Sequence, residues 1–236
     1  MPRVESLLPT PGEAVDLDRE ALREWLADRY DRTGDAWVRV NLVAALGGQT
    51  TGSDGTSDGL TGGIDRLLLA VLRRTAEVVL VGAGTLRAER LGMPRTAELA
   101  VATRRGDFDV DVLPSPTADG RRALVLCPVR VAVPLRERLG DRARVVPLES
   151  DPTTNPAVLI DALAAEGLHR VVCEGGAELA GRLVTAGLVD ELDLTTAPLL
   201  AGGGPSLRAL GGVWTLDGLL HDETDRLYAR WLPPRS

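Results

Sequence analysis

The sequence predicts an α/β protein of three layers, α/β/α, with helices on both faces of a mixed, mostly parallel sheet. Three observations predict it. Short β-branched apolar runs alternate with stretches of helical periodicity through most of the chain. Two of those runs pass directly into glycine turns that open helices, as parallel strands with crossover helices do. The last runs have no helix between them, which marks antiparallel strands at the C-terminal end. With 236 residues, 44% of them hydrophobic, the chain can bury one sizeable core. Residues 1–35 are expected as an N-terminal helical extension and residues 36–236 as the main domain.

In the extension, Leu17, Ala21, Trp25 and Leu26 recur near helical spacing, with Asp16 or Asp18 as cap and Gly34 as stop. The first strand is Trp37–Leu46, and the glycine-rich stretch from Gly47 to Gly63 must be a loop. Thr61 is the expected cap of a helix whose buried face is Ile64, Leu67, Leu68, Val71 and Leu72. Further strands are expected at Glu77–Val81, Leu99–Thr103, Ala123–Cys127, Arg144–Leu148 and Arg170–Cys173. Residues 107–118 read as a surface loop. Helices are expected at Pro156–Glu166, stopped by Gly167, and at Ala177–Ala186, stopped by Gly187. Glu191–Thr196 alternates apolar and polar residues, as an antiparallel or edge strand does, and Leu216–Leu232 reads as a closing hairpin.

Composition narrows the function. The net charge of −7 disfavours nucleic acid as a partner. There is no lysine, so lysine Schiff-base chemistry is excluded. Cys127 and Cys173 have no CxxC spacing, and His169 and His221 form no metal motif, so no metal site is expected. No apolar run is long enough to span a membrane, and Met1 to Pro11 lacks a signal-peptide core. The expectation is a soluble cytoplasmic protein.

Two turns share one physical logic: a buried strand, glycines, then a helix start, where backbone N–H groups and the helix dipole favour phosphate. The first is Gly82-Ala83-Gly84-Thr85, which lacks the third glycine of GxGxxG and would also serve as a purely steric turn. The second is Gly175-Gly176-Ala177-Glu178-Leu179, where paired glycines permit close approach of a ligand. Placed at neighbouring strand ends, the two could clamp one dinucleotide. Thr103, Arg104 and Arg105 lie about twenty residues after the first turn, where a hydroxyl with two cations suits a 2′-phosphate, or the two arginines are simply solvated. The glycine-rich loop could be a mobile lid or a plain connector. Glu174 is a desolvated proton donor or substrate ligand, or else a solvated strand-end acid.

Taken together, the motifs resemble a known family. They are Asn41 to Gly48, Ile64-Asp65-Arg66, Val79 to Ala88, Glu174-Gly175-Gly176-Ala177, Val189 to Leu192 and Pro198 to Gly204. The chain resembles the C-terminal reductase domain of the riboflavin-pathway deaminase–reductases (the RibD C-terminal-domain type) and the stand-alone pyrimidine reductases, over residues 37–232. The resemblance implies a dihydrofolate-reductase-like fold, a homodimer, and hydride transfer from NADPH to a ribosylaminopyrimidine phosphate. It implies cofactor contacts at Val43, Ala44, Gly82, Gly84, Thr85, Thr103, Arg104, Gly175, Gly176, Ala177, Glu178 and Leu179. It implies substrate-side positions at Asn41, Ser57, Arg66, Arg95 and Glu174, and the expected catalytic proton donor is Glu174 or water. The chain departs from the family at Gly47, usually Asp, and at Gly59, where many members carry Trp. A reductase of a pterin, folate or natural-product ring, and a catalytically silent NADP(H)-binding homologue, therefore stand as alternatives.

Overall fold

Eleven strands form one sheet in the computed structural model, which describes residues 2–234. Met1, Arg235 and Ser236, the ends of the two expected regions, lie outside the described residues. The strands are β1 (Arg3–Leu8), β2 (Glu13–Asp16), β3 (Trp37–Ala45), β4 (Val78–Gly82), β5 (Glu98–Ala102), β6 (Ala123–Pro128), β7 (Ala143–Leu148), β8 (Arg170–Cys173), β9 (Glu191–Ala197), β10 (Thr215–Asp222) and β11 (Leu227–Leu232). Their order is β2-β1-β10-β11-β9-β3-β8-β4-β5-β6-β7. From β9 to β7 all neighbours are parallel, and from β2 to β9 all are antiparallel. This is the mixed, mostly parallel sheet that the sequence predicts.

The helices are α1 (Arg19–Arg29), α2 (Asp65–Thr75), α3 (Ala83–Glu89), α4 (Val129–Leu139), α5 (Ala157–Ala165) and α6 (Ala177–Thr185). Helices α1 to α4 bury their apolar faces on one side of the sheet, and α5 and α6 on the other. Alternation along β3 shows the two-sided burial: Trp37 belongs to the first core, Val38, Val40 and Leu42 to the second. Every residue of the expected α2 face is buried.

Four local expectations are corrected. The segment before residue 36 contributes two strands as well as a helix. Asp18 caps that helix, accepting from the Glu20 and Ala21 amides at 2.9 Å, but it ends at Arg29, well before Gly34. The segment is tied in by pairing of β1 with β10. Thr61 does not cap α2; its hydroxyl donates to the Ser57 carbonyl, and the N-cap position is Ile64. The 107–118 segment buries Phe108 and Leu113 in the core, so it is more than a surface loop. Finally, β9 is central rather than an edge. It runs antiparallel to β11 but parallel to β3.

The reason β9 looks amphipathic is a buried ion cluster. Glu191, Asp193 and Thr195 are all buried on one face, in register with Arg39, Asn41 and Val43 of β3. The Arg39 guanidinium reaches Glu191 at 2.8 Å and Asp193 at 3.3 Å, and donates to the Tyr30 carbonyl at 2.9 Å. Burial, reinforced by the negative charge of Glu191, holds the Asp193 carboxyl well above the usual carboxylate range.

Candidate functional site

The parallel topology leaves a crevice at the C-terminal ends of β3, β8, β4 and β5. The chain leaves β3 for β4 and returns later to insert β8 between them. Open α/β sheets bind ligands at such switch points. Here the crevice is a cleft of about 1160 Å³. Its walls are the ends of those strands, the first turns of α3 and α6, one stripe of α2, and loop residues around Thr50, Ser57 and Ser206.

The two glycine turns meet in this cleft. Strands β4 and β8 are neighbours, and the Gly82 amide donates to the Gly175 carbonyl at 2.7 Å. The Gly175–Gly176 peptide is cis. Gly175 has φ +96°, which favours glycine, and a Cβ there would lie a tight 3.0 Å from the Leu42 side chain. A Cβ on Gly176 would lie 3.3 Å from the Thr85 hydroxyl, so one turn fills the space beside the other. Helix α6 starts immediately at Ala177, which turns its positive end toward the cleft.

Most residues singled out from the sequence line the cleft: Asn41, Val43, Ser57, Arg66, Gly82, Gly84, Thr85, Thr103, Arg104, Glu174, Gly176, Ala177, Glu178 and Leu179. Gly175 lies buried between lining neighbours. Ala44 falls on the other face of β3 from Val43; it is buried and does not line the cleft. Arg95 is not brought to the cleft. It lies exposed in the loop before β5, whose Pro94, Arg95 and Ala97 carbonyls accept from the Arg121 guanidinium at 3.0–3.2 Å.

The charges of the cleft sort into paired and free. Arg66 pairs with Asp58, Arg87 with Asp107, and Arg182 with Glu178. Arg73 grips Glu174 with two parallel hydrogen bonds of 2.6 and 2.5 Å. Arg104 and Arg105 have no acidic partner within 4 Å among the described residues. The Thr103 hydroxyl accepts from the Gly106 amide at 2.9 Å, which leaves its own proton free to donate.

The Arg73 pair favours the substrate-ligand reading of Glu174. Both carboxylate oxygens are engaged by a guanidinium, and the side chain is only 9% exposed. Glu174 therefore reaches the cleft as one half of a bidentate ion pair, the arrangement of an acceptor for a ligand's hydrogen bonds. Burial works against the Arg73 charge, but the hydrogen bond and attraction from Glu174 outweigh it and raise its pKa.

Helix α2 supplies what the sequence reading missed. Asp65, Leu69 and Arg73 stand at i, i+4 and i+8 and form a stripe along the cleft, beside the buried core stripe. Asp65 is buried, and the nearby Thr195 side chain works to lower its pKa. Burial, more than any nearby charge, raises its carboxyl above the ordinary range, and Arg226 and Arg66 offset only part of that. Asp222 also reaches the start of α2: its carboxylate accepts from the Ile64 amide at 3.0 Å and the Tyr228 hydroxyl at 2.6 Å.

Residues 36–226 match the model of the RibD C-terminal domain. The chain belongs to the RibD C-terminal domain family. Among relatives, it is 32% identical over 203 residues to a riboflavin biosynthesis protein RibD of Bacillus amyloliquefaciens, covering 81% of this chain and 54% of that one. It is 28% identical over 177 residues to a 2,5-diamino-6-ribosylamino-4(3H)-pyrimidinone 5′-phosphate reductase of Methanothermobacter thermautotrophicus, covering 71% and 80% of the two chains. The chain thus spans about half the length of the RibD relatives it matches. In fold it is similar to a pyrimidine reductase-like protein of Corynebacterium diphtheriae, with a TM-score of 0.74, 22% identity, and coverage of 91% and 99%. No helix among the described residues is long and apolar enough to cross a membrane.

Proposed function

We propose that this RibD C-terminal domain is a cytoplasmic, homodimeric NADPH-dependent reductase of a ribosylaminopyrimidine phosphate. The observation that carries the reading is the contact between the two glycine turns. It makes one continuous backbone cradle from two strand ends, at the start of α6. A lone dinucleotide turn of the ordinary doubly wound kind would leave the second turn without a use. The cleft volume also exceeds the ~300–1000 Å³ of a site for one small ligand, so it has room for cofactor and substrate together.

The residues present fit the cofactor. Gly82, Gly84 and Thr85 on one side, and Gly175, Gly176 and Ala177 on the other, would hold the pyrophosphate, with Glu178 and Leu179 completing that wall. Thr103 and Arg104 would take the 2′-phosphate, because Arg104 is a cation with no competing acid. Val43, with the Ala44 backbone, would border the nicotinamide. When bound, NADPH supplies the hydride.

The chain's own residues orient the other reactant. Asn41, Ser57 and Arg66 would position the pyrimidine and its ribosyl phosphate. Glu174 would accept a hydrogen bond from the substrate while Arg73 fixes its carboxylate plane, and the proton that completes the reduction would come from water. The relatives' names supply the substrate class, which carries over to this chain as part of the reading. Calorimetry with NADPH, followed by loss of NADPH absorbance on adding a ribosylaminopyrimidine phosphate, tests it. Binding with turnover is expected; the absence of NADPH binding would end the reading.

A further inference from the structure

The connection from β9 to β10 carries Gly202, Gly203 and Gly204 near one end and Gly211 and Gly212 near the other. Gly203, Gly204 and Gly212 have φ of +75°, +82° and +92°, which glycine adopts without strain. No atom lies within 4 Å of a Cβ built on Gly202, Gly203 or Gly211, so both ends are free of packing. The piece between them is ordered and docked at two places. Leu207–Ala209 forms one 3-10 turn. On one side, the Leu207 amide donates to the Gly48 carbonyl at 2.8 Å, and the Pro205 carbonyl accepts from the Thr50 amide at 2.9 Å. On the other side the turn lies on α6 at Gly181. A Cβ on Gly181 would overlap the Ala209 carbonyl oxygen and lie 2.7 Å from the carbonyl carbon. Glycine inside a helix is less stable than alanine, and here the missing methyl leaves the space that the Ala209 backbone fills. Gly204, Pro205, Ser206 and Ala209 line the cleft, whereas Gly181 does not.

We propose that residues 202–212 are a flap hinged at its glycines, that Gly181 is the notch in which it docks, and that docking closes the cleft over the bound nicotinamide nucleotide. The inference rests on the reductase reading and adds how that site is closed. One short piece of chain touches both the start of the glycine-rich loop, at Gly48 and Thr50, and the helix whose first turn belongs to the backbone cradle. A molecule in the cleft is therefore bordered by a wall held from both sides. Glycine-flanked segments can absorb the backbone rotation of a hinge, and closing segments set how fast a ligand leaves. Gly181 acts only through the flap, so it is a positioning residue.

Trypsin reads the flap directly, because Arg208 is exposed on the 3-10 turn and the chain has no lysine. In the wild type, saturating NADPH should slow cleavage after Arg208 by about fivefold or more, since it holds the flap docked. Gly181→Ala should speed that cleavage without ligand, because the new methyl lifts Ala209, while cleavage after the exposed Arg95 stays unchanged. In the same variant NADPH should dissociate about tenfold faster in stopped-flow, with a nearly unchanged association rate. Gly203→Ala is an independent check. Its methyl meets no atom and strains only the hinge, so it too should speed cleavage after Arg208. Equal cleavage after Arg208 with and without bound NADPH in the wild type, or equal cleavage of the ligand-free wild type and both variants, overturns the proposal. A protein that binds no NADPH by calorimetry refutes the reductase reading separately, and the ligand-free comparison still decides whether Gly181 docks the flap.

Discussion

Replacing Asp222 by Ala should destabilise the protein by about 3 kcal/mol, and the reasons are visible at atomic level. The carboxylate is buried at the turn of the β10–β11 hairpin. It accepts from the Ile64 amide (3.0 Å), the Tyr228 hydroxyl (2.6 Å), the Thr224 amide (2.9 Å) and the Thr224 hydroxyl (2.6 Å). The Thr224 groups are half-buried and can turn to water. Ile64 and Tyr228 are buried, and hydrogen bonds to a charged group are worth about 1.5–3 kcal/mol each. Some of that returns, because the Ile64 amide also reaches the Tyr228 oxygen at 3.1 Å and Tyr228 can donate to the Gly62 carbonyl. About 3 kcal/mol remains, which for a chain of this size lowers Tm by roughly 6–12 °C. The loss should depend on pH. Burial opposes the Asp222 charge, but the hydrogen bonds from Thr224, Tyr228 and Ile64 outweigh it and hold its pKa below the ordinary 3.8. A folded pKa below the unfolded one means the stabilisation is complete above 3.8 and is lost as pH falls through the folded value. Urea titrations of both proteins between neutral and strongly acidic pH read this directly. A difference under ~0.5 kcal/mol at neutral pH, no larger than ordinary surface substitutions give, or a gap that widens on acidification, would refute the reasoning.

Gly176→Asp should abolish NADPH binding, since it places bulk near Thr85 and a negative charge at the pyrophosphate turn; unchanged affinity by calorimetry contradicts the assignment. Arg104→Ala should weaken NADPH by about 10–100-fold, the worth of one charge-assisted hydrogen bond, while leaving NADH nearly unaffected. Equal losses for the two nucleotides would remove Arg104 from the 2′-phosphate. Arg73→Ala leaves the Glu174 carboxylate buried without its partner and should cost about 3 kcal/mol in urea unfolding. Arg73→Lys should recover only part, because an ammonium cannot make the two parallel bonds; full recovery would show that charge alone matters.

The strands and helices with strong local patterns were legible in the sequence, and the elements that depend on distant partners were not. The buried face of α2 could be read because its five apolar residues repeat at helical spacing. The β1–β2 hairpin could not, because β1 gains its stability by pairing with β10, more than two hundred residues away. Helix α4 was hidden by Pro134 inside it and by exposed Val129 and Val133, which blur its apolar stripe. The edge reading of β9, half of an expectation whose antiparallel half holds against β11, failed for the most specific cause. Alternating polar residues ordinarily mark a face in water, but Glu191 and Asp193 alternate because they meet buried Arg39. A charge paired inside a core carries the same letter as a charge in solvent.

The same ambiguity divides the site. The glycine turns were legible because close backbone approach needs glycine, and that need is written locally. Asp65 and Arg73 of α2 were not, because a helix that faces both a core and a cleft carries two interleaved stripes. Asp65 looks like an ordinary first-turn acid and Arg73 like an ordinary last-turn base, both favoured by the helix dipole. The available signal was Leu69 between them, an apolar residue on what would otherwise be a solvated face. Arg95 failed in the opposite direction. The family resemblance implied a substrate contact there, but Arg121 holds the carbonyls of that loop and the side chain stays outside the cleft. Cradles built from backbone can therefore be read from short motifs. Recognition built from side chains depends on which stripe of a helix turns toward the ligand, and that is decided by packing of α2 against the sheet and by the grip of Asp222 on its first turn.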